Sequence, residues 1–298
     1  KMTPVWRARS RVLQAIRRFF VERDFIEVET PVRLPAPALE THIDAVPSAP
    51  HFLRTSPELH MKRLLADGAE RLFQMGPCFR RGEIGTLHNT EFTMLEWYRT
   101  HAGYLDVLVD AKALLAFVTR EALGKTSFEY RGVQVDMLPV WDCLTVEEAF
   151  VRFAGWNPVA GFDPDRFDLD LIGKVEPQLS PDRPTVLKDY PAAAAALARL
   201  KPDRPAVAER WELYIAGMEI ANAFGELTDP IEQRKRFQAC AAERKAAGRH
   251  VYPMDEKFLA ALEKGLPPCA GVALGVDRLV MLLTDSSSIE QVRPFCRE

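Results

Sequence analysis

Val12, Leu13, Ile16, Phe19 and Phe20 recur at three- and four-residue intervals behind Thr3-Pro4. That spacing lines one face of a helix with apolar side chains, so a basic amphipathic helix is predicted from Thr3-Pro4, as cap and first turn, to about Arg23-Asp24. The period then changes: Phe25-Ile26-Glu27-Val28-Glu29-Thr30 alternates as a half-buried strand does, and Pro31, with no N–H for a ladder, ends it. A short helix is predicted from Ser56-Pro57-Glu58 to about Asp67. Leu72-Phe73-Gln74-Met75 and Cys78-Phe79-Arg80 read as successive strands, and the stretch from Glu91 to Arg99 as another. Residues 104–123 carry a second amphipathic helix. Strand character returns from Trp211 to Leu227, helices are predicted at 230–247 and 255–264, and Cys269 to Val276 reads as a small-residue strand entering a final helix.

Between them, residues 155–205 are rich in Pro, Asp and Arg with weak periodicity, and read as an insertion in a single domain covering 1–298. Strands and helices do not alternate as βαβ units, so the fold class is α+β with an antiparallel sheet.

The 298 residues, 47% hydrophobic, can bury a sizeable core. With 39 basic against 42 acidic side chains the net charge is -3, so there is no global positive field to collect a phosphate backbone. The basic run from Arg234 to Arg249 reads as a solvated helix face. Five cysteines are scattered without a CxxC pair or a neighbouring histidine, which argues against a disulfide framework or a zinc site. The first residues lack a signal-peptide pattern and no apolar run is long enough to span a bilayer, so a cytoplasmic protein with no membrane partner is expected.

Two segments bear chemistry. Phe79-Arg80-Arg81-Gly82-Glu83-Ile84-Gly85-Thr86-Leu87-His88-Asn89-Thr90-Glu91-Phe92 reads as strand, glycine-containing loop, strand. The Arg80 guanidinium can hold an α-phosphate and stabilise charge that develops on it, and the Phe92 ring can stack on adenine. Gly271-Val272-Ala273-Leu274-Gly275-Val276-Asp277-Arg278-Leu279 places glycines in a strand, where backbone can approach a ligand, and an arginine at a helix start. Neither a Walker loop nor a dinucleotide fingerprint is present, so arginine would have to do the phosphate work. Taken separately, each segment reads first as ordinary structure, a charged hairpin with a packed Phe or a buried strand with a surface-paired arginine.

Together they are specific. Phe25 to Pro31, Phe79 to Arg99 and Gly271 to Arg278 resemble, in order and spacing, the three motifs of class II aminoacyl-tRNA synthetases. Thr55 to Arg63 and Glu219 to Leu227 are similar to the lysyl subgroup. The resemblance implies an antiparallel sheet flanked by helices, ATP and Mg2+ as cofactors, and a homodimer with the first motif at its contact. It implies that Arg80 grips the α-phosphate, that His88 and Arg278 hold the outer phosphates, and that Phe92 and Arg278 sandwich the adenine, Arg80 and Arg278 being the catalytic pair. Asn89 joins the ATP set. Glu83 falls one place later than the family's Arg-x-Glu and is the weakest member of that set. Glu212 and Glu219 would hold magnesium. On the amino-acid side, Glu58 would face one substrate ammonium, Asn222 and Glu226 would grip the distal one, and Ser56, Glu96, Tyr98 and Ala273 complete the pocket. A lysine-like substrate supplies the counter-charge that buried carboxylates need.

Because the first motif's helix begins within the first few residues, the anticodon-reading barrel of lysyl-tRNA synthetases is expected to be missing, and tRNA is not an expected partner. The short form resembles the synthetase paralogues that attach (R)-β-lysine to a lysine of elongation factor P. Ala273 points the same way, standing where lysyl-tRNA synthetases have glycine. A truncated lysyl-tRNA synthetase using L-lysine and a catalytically silent lysine-binding paralogue remain alternatives.

Overall fold

The alternation of side chains along extended strands sorts the chain into two faces of one sheet, and helices cover each face according to what it presents. The computed structural model describes residues 4–138 and 140–296, so the Thr3 cap lies outside the described residues. In chain order, α1 (Pro4–Val21) leads to β1 (Ile26–Glu27). A small sheet of β2 (Arg33–Leu34), β3 (Pro47–Ser48) and β4 (His51–Leu53) precedes α2 (Glu58–Ala66), β5 (Arg71–Phe79) and β6 (Glu91–Thr100). Next come α3 (Tyr104–Leu123), a hairpin of β7 (Ser127–Tyr130) and β8 (Val133–Asp136), β9 (Asp142–Thr145), α4 (Val146–Phe153), α5 (Pro164–Asp170) and β10 (Thr185–Pro191). The chain continues through β11 (Val207–Ile215), β12 (Met218–Gly225), α6 (Pro230–Ala246), α7 (Glu256–Gly265), β13 (Cys269–Gly275), α8 (Val276–Leu283) and α9 (Ile289–Val292).

Eight strands form the central sheet in the order β1-β5-β6-β13-β12-β11-β10-β9. The pairings are antiparallel except β1 with β5 and β9 with β10, which agrees with the α+β reading. Phe73, Leu95, Trp97, Trp211, Leu213, Ala221, Ala223, Val272 and Leu274 point to one face, where α1, α3 and α8 pack in the main core. At the junction of α1, β1 and β5, Phe20 stacks on Phe73 at 4.8 Å and meets Phe25 edge-on at 5.0 Å. Burying each such aromatic contributes roughly 1.5–3 kcal/mol. On the other face, α2, α6 and α7 bring Leu59, Leu65, Phe237, Phe258 and Leu262 against Leu72, Tyr98 and Cys269.

Several elements differ from the sequence expectation. Of Phe25 to Thr30 only Ile26–Glu27 is strand, because it pairs on one side alone, at the edge of the sheet. The two strands expected at 72–80 are one, β5, which pairs continuously with β6. The strand expected over Trp211 to Leu227 is a hairpin, turned at Ala216-Gly217, where both residues take positive φ. The 155–205 stretch, read as an insertion, contributes β10 to the central sheet through pairing with both β9 and β11. Its periodicity is weak because β10 is buried on nearly every residue rather than on alternate ones.

Candidate active site

Register builds the floor of the site. Gln74, Glu96, Ala273, Asn222 and Glu212 lie side by side in one rung across five strands. Leu72, Tyr98, Gly271, Phe224 and Arg210 form the neighbouring rung on the same face. A pocket opens over these rungs, lined by Glu40, Ser56, Glu58, Arg80, Glu96, Tyr98, Asn222, Phe224, Glu226 and Ala273 among others. Glycine is obligatory at 271, where a Cβ would lie 2.1 Å from the Tyr98 ring and 2.9 Å from Glu226 Oε1.

The amino-acid end expected from sequence is assembled here, and it is strongly acidic. Glu96, 1% exposed, accepts from Ser56 Oγ at 2.6 Å and from Tyr98 Oη at 2.7 Å. Burial, reinforced by Glu58, pushes its carboxyl up to about 7. Glu226, also 1% exposed, is pushed up to about 8 by burial, against the pull of Lys62. Lys62 is one of the residues the sequence reading missed: fully buried, its ammonium sits 2.5 Å from Glu58 Oε1 and ion-pairs with Glu226 as well. The signal was available, since Glu58 and Lys62 are four apart on one helix face. The two carboxylates favour the charged amine more than burial disfavours it, so the Lys62 pKa is raised. Asn222 lines the pocket, but its Oδ1 accepts from Arg210 Nε at 3.3 Å.

Arg210, likewise absent from the sequence reading, joins the two ends. It donates to Glu212 Oε1 at 2.6 Å and to the Ala194 carbonyl at 2.6 Å, and lies 4.4 Å over the Tyr190 ring. Glu212 Oε2 accepts from both Tyr190 and Tyr214 hydroxyls at 2.6 Å. Beside it Glu219 is pushed up to about 7 by loss of hydration in the cleft and then by the Glu212 carboxylate. Two adjacent carboxylates that repel each other suit a divalent cation, and Glu212 Oε1 retains a lone pair for one. Among the described residues no group of three or more His, Cys, Asp or Glu side chains is placed to hold a metal. A two-carboxylate pair fits Mg2+, which takes few protein ligands and shares the rest with water and phosphates.

The end expected from sequence to take the nucleotide carries two guanidinium groups. Arg80, at the end of β5, lies 5.2 Å over the Phe92 ring of β6, and its Nε is buried with no hydrogen-bond partner among the described residues. Arg278, in the first turn of α8, donates through Nη1 to the Glu219 carbonyl at 2.7 Å and through Nη2 to His88 Nε2 at 2.7 Å. Loss of hydration and the Arg278 charge hold His88 below its ordinary value, matching an unprotonated acceptor. The adjacent Asp277 fixes that turn: it accepts from Arg9 at 2.6 Å and from the Thr93 N–H at 2.7 Å, tying α8 to α1 and β6. Asn89 is buried and donates through Nδ2 to the Glu91 carbonyl at 2.8 Å, a contact within the hairpin. Glu83 sits 3.9 Å from Arg80, at the edge of ion pairing.

The basic run from Arg234 to Arg249 is solvated in part, as expected, with Lys235 and Lys245 exposed, but not throughout. Arg244 is completely buried, and clamps the loop before β3 by donating to the carbonyls of Glu40, Thr41 and Ile43 and to Asp44 at 2.5 Å. Arg249 adds a bond to the Thr41 carbonyl, and Arg236 binds the carbonyls of Ala196 and Ala198. Arg244 and Arg249 thereby order the loop that brings Glu40 to the pocket wall.

The chain matches the family described as tRNA synthetases class II (D, K and N) over residues 1–298. It is similar to the lysine–tRNA ligase of Moorella thermoacetica, 42% identical over 98% of this chain and 64% of the relative. The lysine–tRNA ligases of Chromohalobacter salexigens and Synechococcus are each 38% identical, over 98% and 97% of this chain and 63% of the relative. The chain thus spans somewhat less than two thirds of the length of these curated relatives.

Proposed function

As the chain belongs to the class II tRNA synthetases (D, K and N), we propose that it activates a lysine-like amino acid with ATP, forming an aminoacyl-adenylate and pyrophosphate. The carrying observation is the charge division in one pocket: the Arg80 guanidinium lines it together with the carboxylates of Glu40, Glu58, Glu96 and Glu226, and Arg278 stands against His88 outside that lining. In this reading the substrate carboxylate attacks the α-phosphorus in line, near Arg80, whose unpartnered buried Nε has bonding capacity for the charge that develops. Arg278 and His88 bind the outer phosphates, and the Phe92 ring receives the adenine. Glu219 with Glu212 would hold Mg2+, which when bound neutralises phosphate charge. Glu226 and Tyr98 take the distal ammonium, with Asn222 at the wall.

For the acceptor, we favour transfer to a lysine ε-amine of elongation factor P after activation of (R)-β-lysine, with residues 1–298 acting as one catalytic domain in a homodimer. Ala273 supports it, since its methyl stands between Glu96 and Asn222 in the rung that floors the pocket and takes room where an α-substituted substrate would lie. The second reading is transfer of L-lysine to tRNA, which the identity to lysine–tRNA ligases favours. Incubation with ATP, either amino acid, elongation factor P and lysine tRNA separates them. The first reading expects a mass gain on the protein with (R)-β-lysine; aminoacylated tRNA with L-lysine and an unchanged protein mass would replace it with the second.

A further inference from the structure

Each carboxylate over the floor has its counter-charge or donors supplied by the chain, with one exception. Glu96 has two hydroxyl donors, Glu58 and Glu226 share Lys62, and Glu212 has Arg210 and two tyrosines. Glu40 lines the same pocket, half-buried, and its carboxylate takes no hydrogen bond or ion pair among the described residues. The loop is nonetheless held in place: Arg244 grips the Glu40 carbonyl at 2.7 Å, and Ala38 and Leu39 are buried beside it. A carboxylate anchored by its backbone, walled by protein and left without a partner is unfavourable unless a ligand cation completes it. Burial pushes its carboxyl up to about 7. The Arg81 N–H donates to the Asp44 carbonyl at 2.7 Å, which ties the loop carrying Glu40 to the chain beside Arg80, and the Glu40 and Arg80 side chains line the same pocket.

Resting on the adenylate-forming reading above, we propose that Glu40 binds the substrate ammonium nearest the reacting carboxylate and is the residue that selects diamino acids over ω-amino acids. Glu40 acts on ground-state binding, leaving the chemistry at Arg80 untouched.

The test is amino-acid-dependent ATP–pyrophosphate exchange with the wild type, Glu40→Gln and Glu40→Asp, using L-lysine and (R)-β-lysine. 6-Aminohexanoic acid, which lacks the inner amine, serves as competitive inhibitor. Glu40→Gln is expected to raise KM for the preferred diamino acid about tenfold or more, with kcat little changed. The inhibition constant of 6-aminohexanoic acid should stay within about twofold, and Glu40→Asp should recover part of the loss. An unchanged KM, or a KM and inhibition constant that rise together, overturns the assignment. Melting temperatures of all three proteins, together with the inhibitor constant, identify a misfolded variant. A wild type that exchanges with no diamino acid refutes the adenylate reading itself, before any variant is compared.

Discussion

The two ends of the cleft are built by opposite strategies. At the end proposed for the nucleotide, Arg80, His88 and Phe92 come from one hairpin, their charges are partly open to the cleft, and Arg278 is held by a carbonyl, a histidine and a 3.6 Å ion pair with Glu219. At the amino-acid end the polar groups are almost wholly buried and come from α2, three strands and a distant loop, with Lys62 neutralising two carboxylates from within. An open, cationic end can accept a hydrated polyanion, whereas a dry acidic end rejects anything that does not bring positive charge. Disturbing the buried end should therefore cost folding as well as binding, and disturbing the open end activity alone.

The largest expected effect lies at the buried end. Lys62→Met leaves Glu58 and Glu226 facing each other without their cation, and is expected to cost about 3–5 kcal/mol of folding stability, read by urea unfolding. A loss under about 1 kcal/mol would mean that the pair is solvated and that the contrast between the ends is false. At the open end, Arg80→Ala should lower exchange activity by about 10²–10³-fold while the urea midpoint barely moves. Glu226→Gln is expected to raise the amino-acid KM by about 30- to 100-fold with the KM for ATP nearly unchanged. If both constants rose together, the division of labour between the ends would be wrong.

A smaller effect concerns pH. The folded Glu96 carboxyl, at about 7, sits above its ordinary 4.5, so the stability it contributes is complete below about 4.5 and is lost as pH rises through 7. His60 and His88, held low in the fold, act in the opposite sense, their contribution being lost as pH falls. Comparing wild type with Glu96→Gln isolates the first term: between pH 5 and 8 the wild type should lose about 1–2 kcal/mol more than the variant. Parallel pH profiles would show that Glu96 is not a buried, protonatable group.

The same division explains what could be read in advance. Arg80, His88, Phe92 and Arg278 were legible as a group because each lies in a contiguous motif, and the fold sets Arg80 over Phe92 and Arg278 against His88. The helices at 104–123, 230–247 and 255–264 were legible from period alone. Arg210 was not, because its role exists only once register sets β11 beside β12 and delivers it to Asn222 and Glu212. Glu40 gave no signal at all: it lies in a proline-spaced loop, placed by an arginine some 200 positions away that charge patterning read as surface. Strand β10 escaped for a related reason, since burial on both faces erases the alternation that marks a strand.

The most direct test of the central claim is exchange of labelled pyrophosphate into ATP by the purified protein, with L-lysine, (R)-β-lysine and norleucine offered separately. Norleucine matches lysine in length but lacks the distal ammonium. Exchange that depends on a diamino acid and is absent with norleucine is the expected result. Exchange with norleucine at a comparable rate, or none with either diamino acid, would contradict the account.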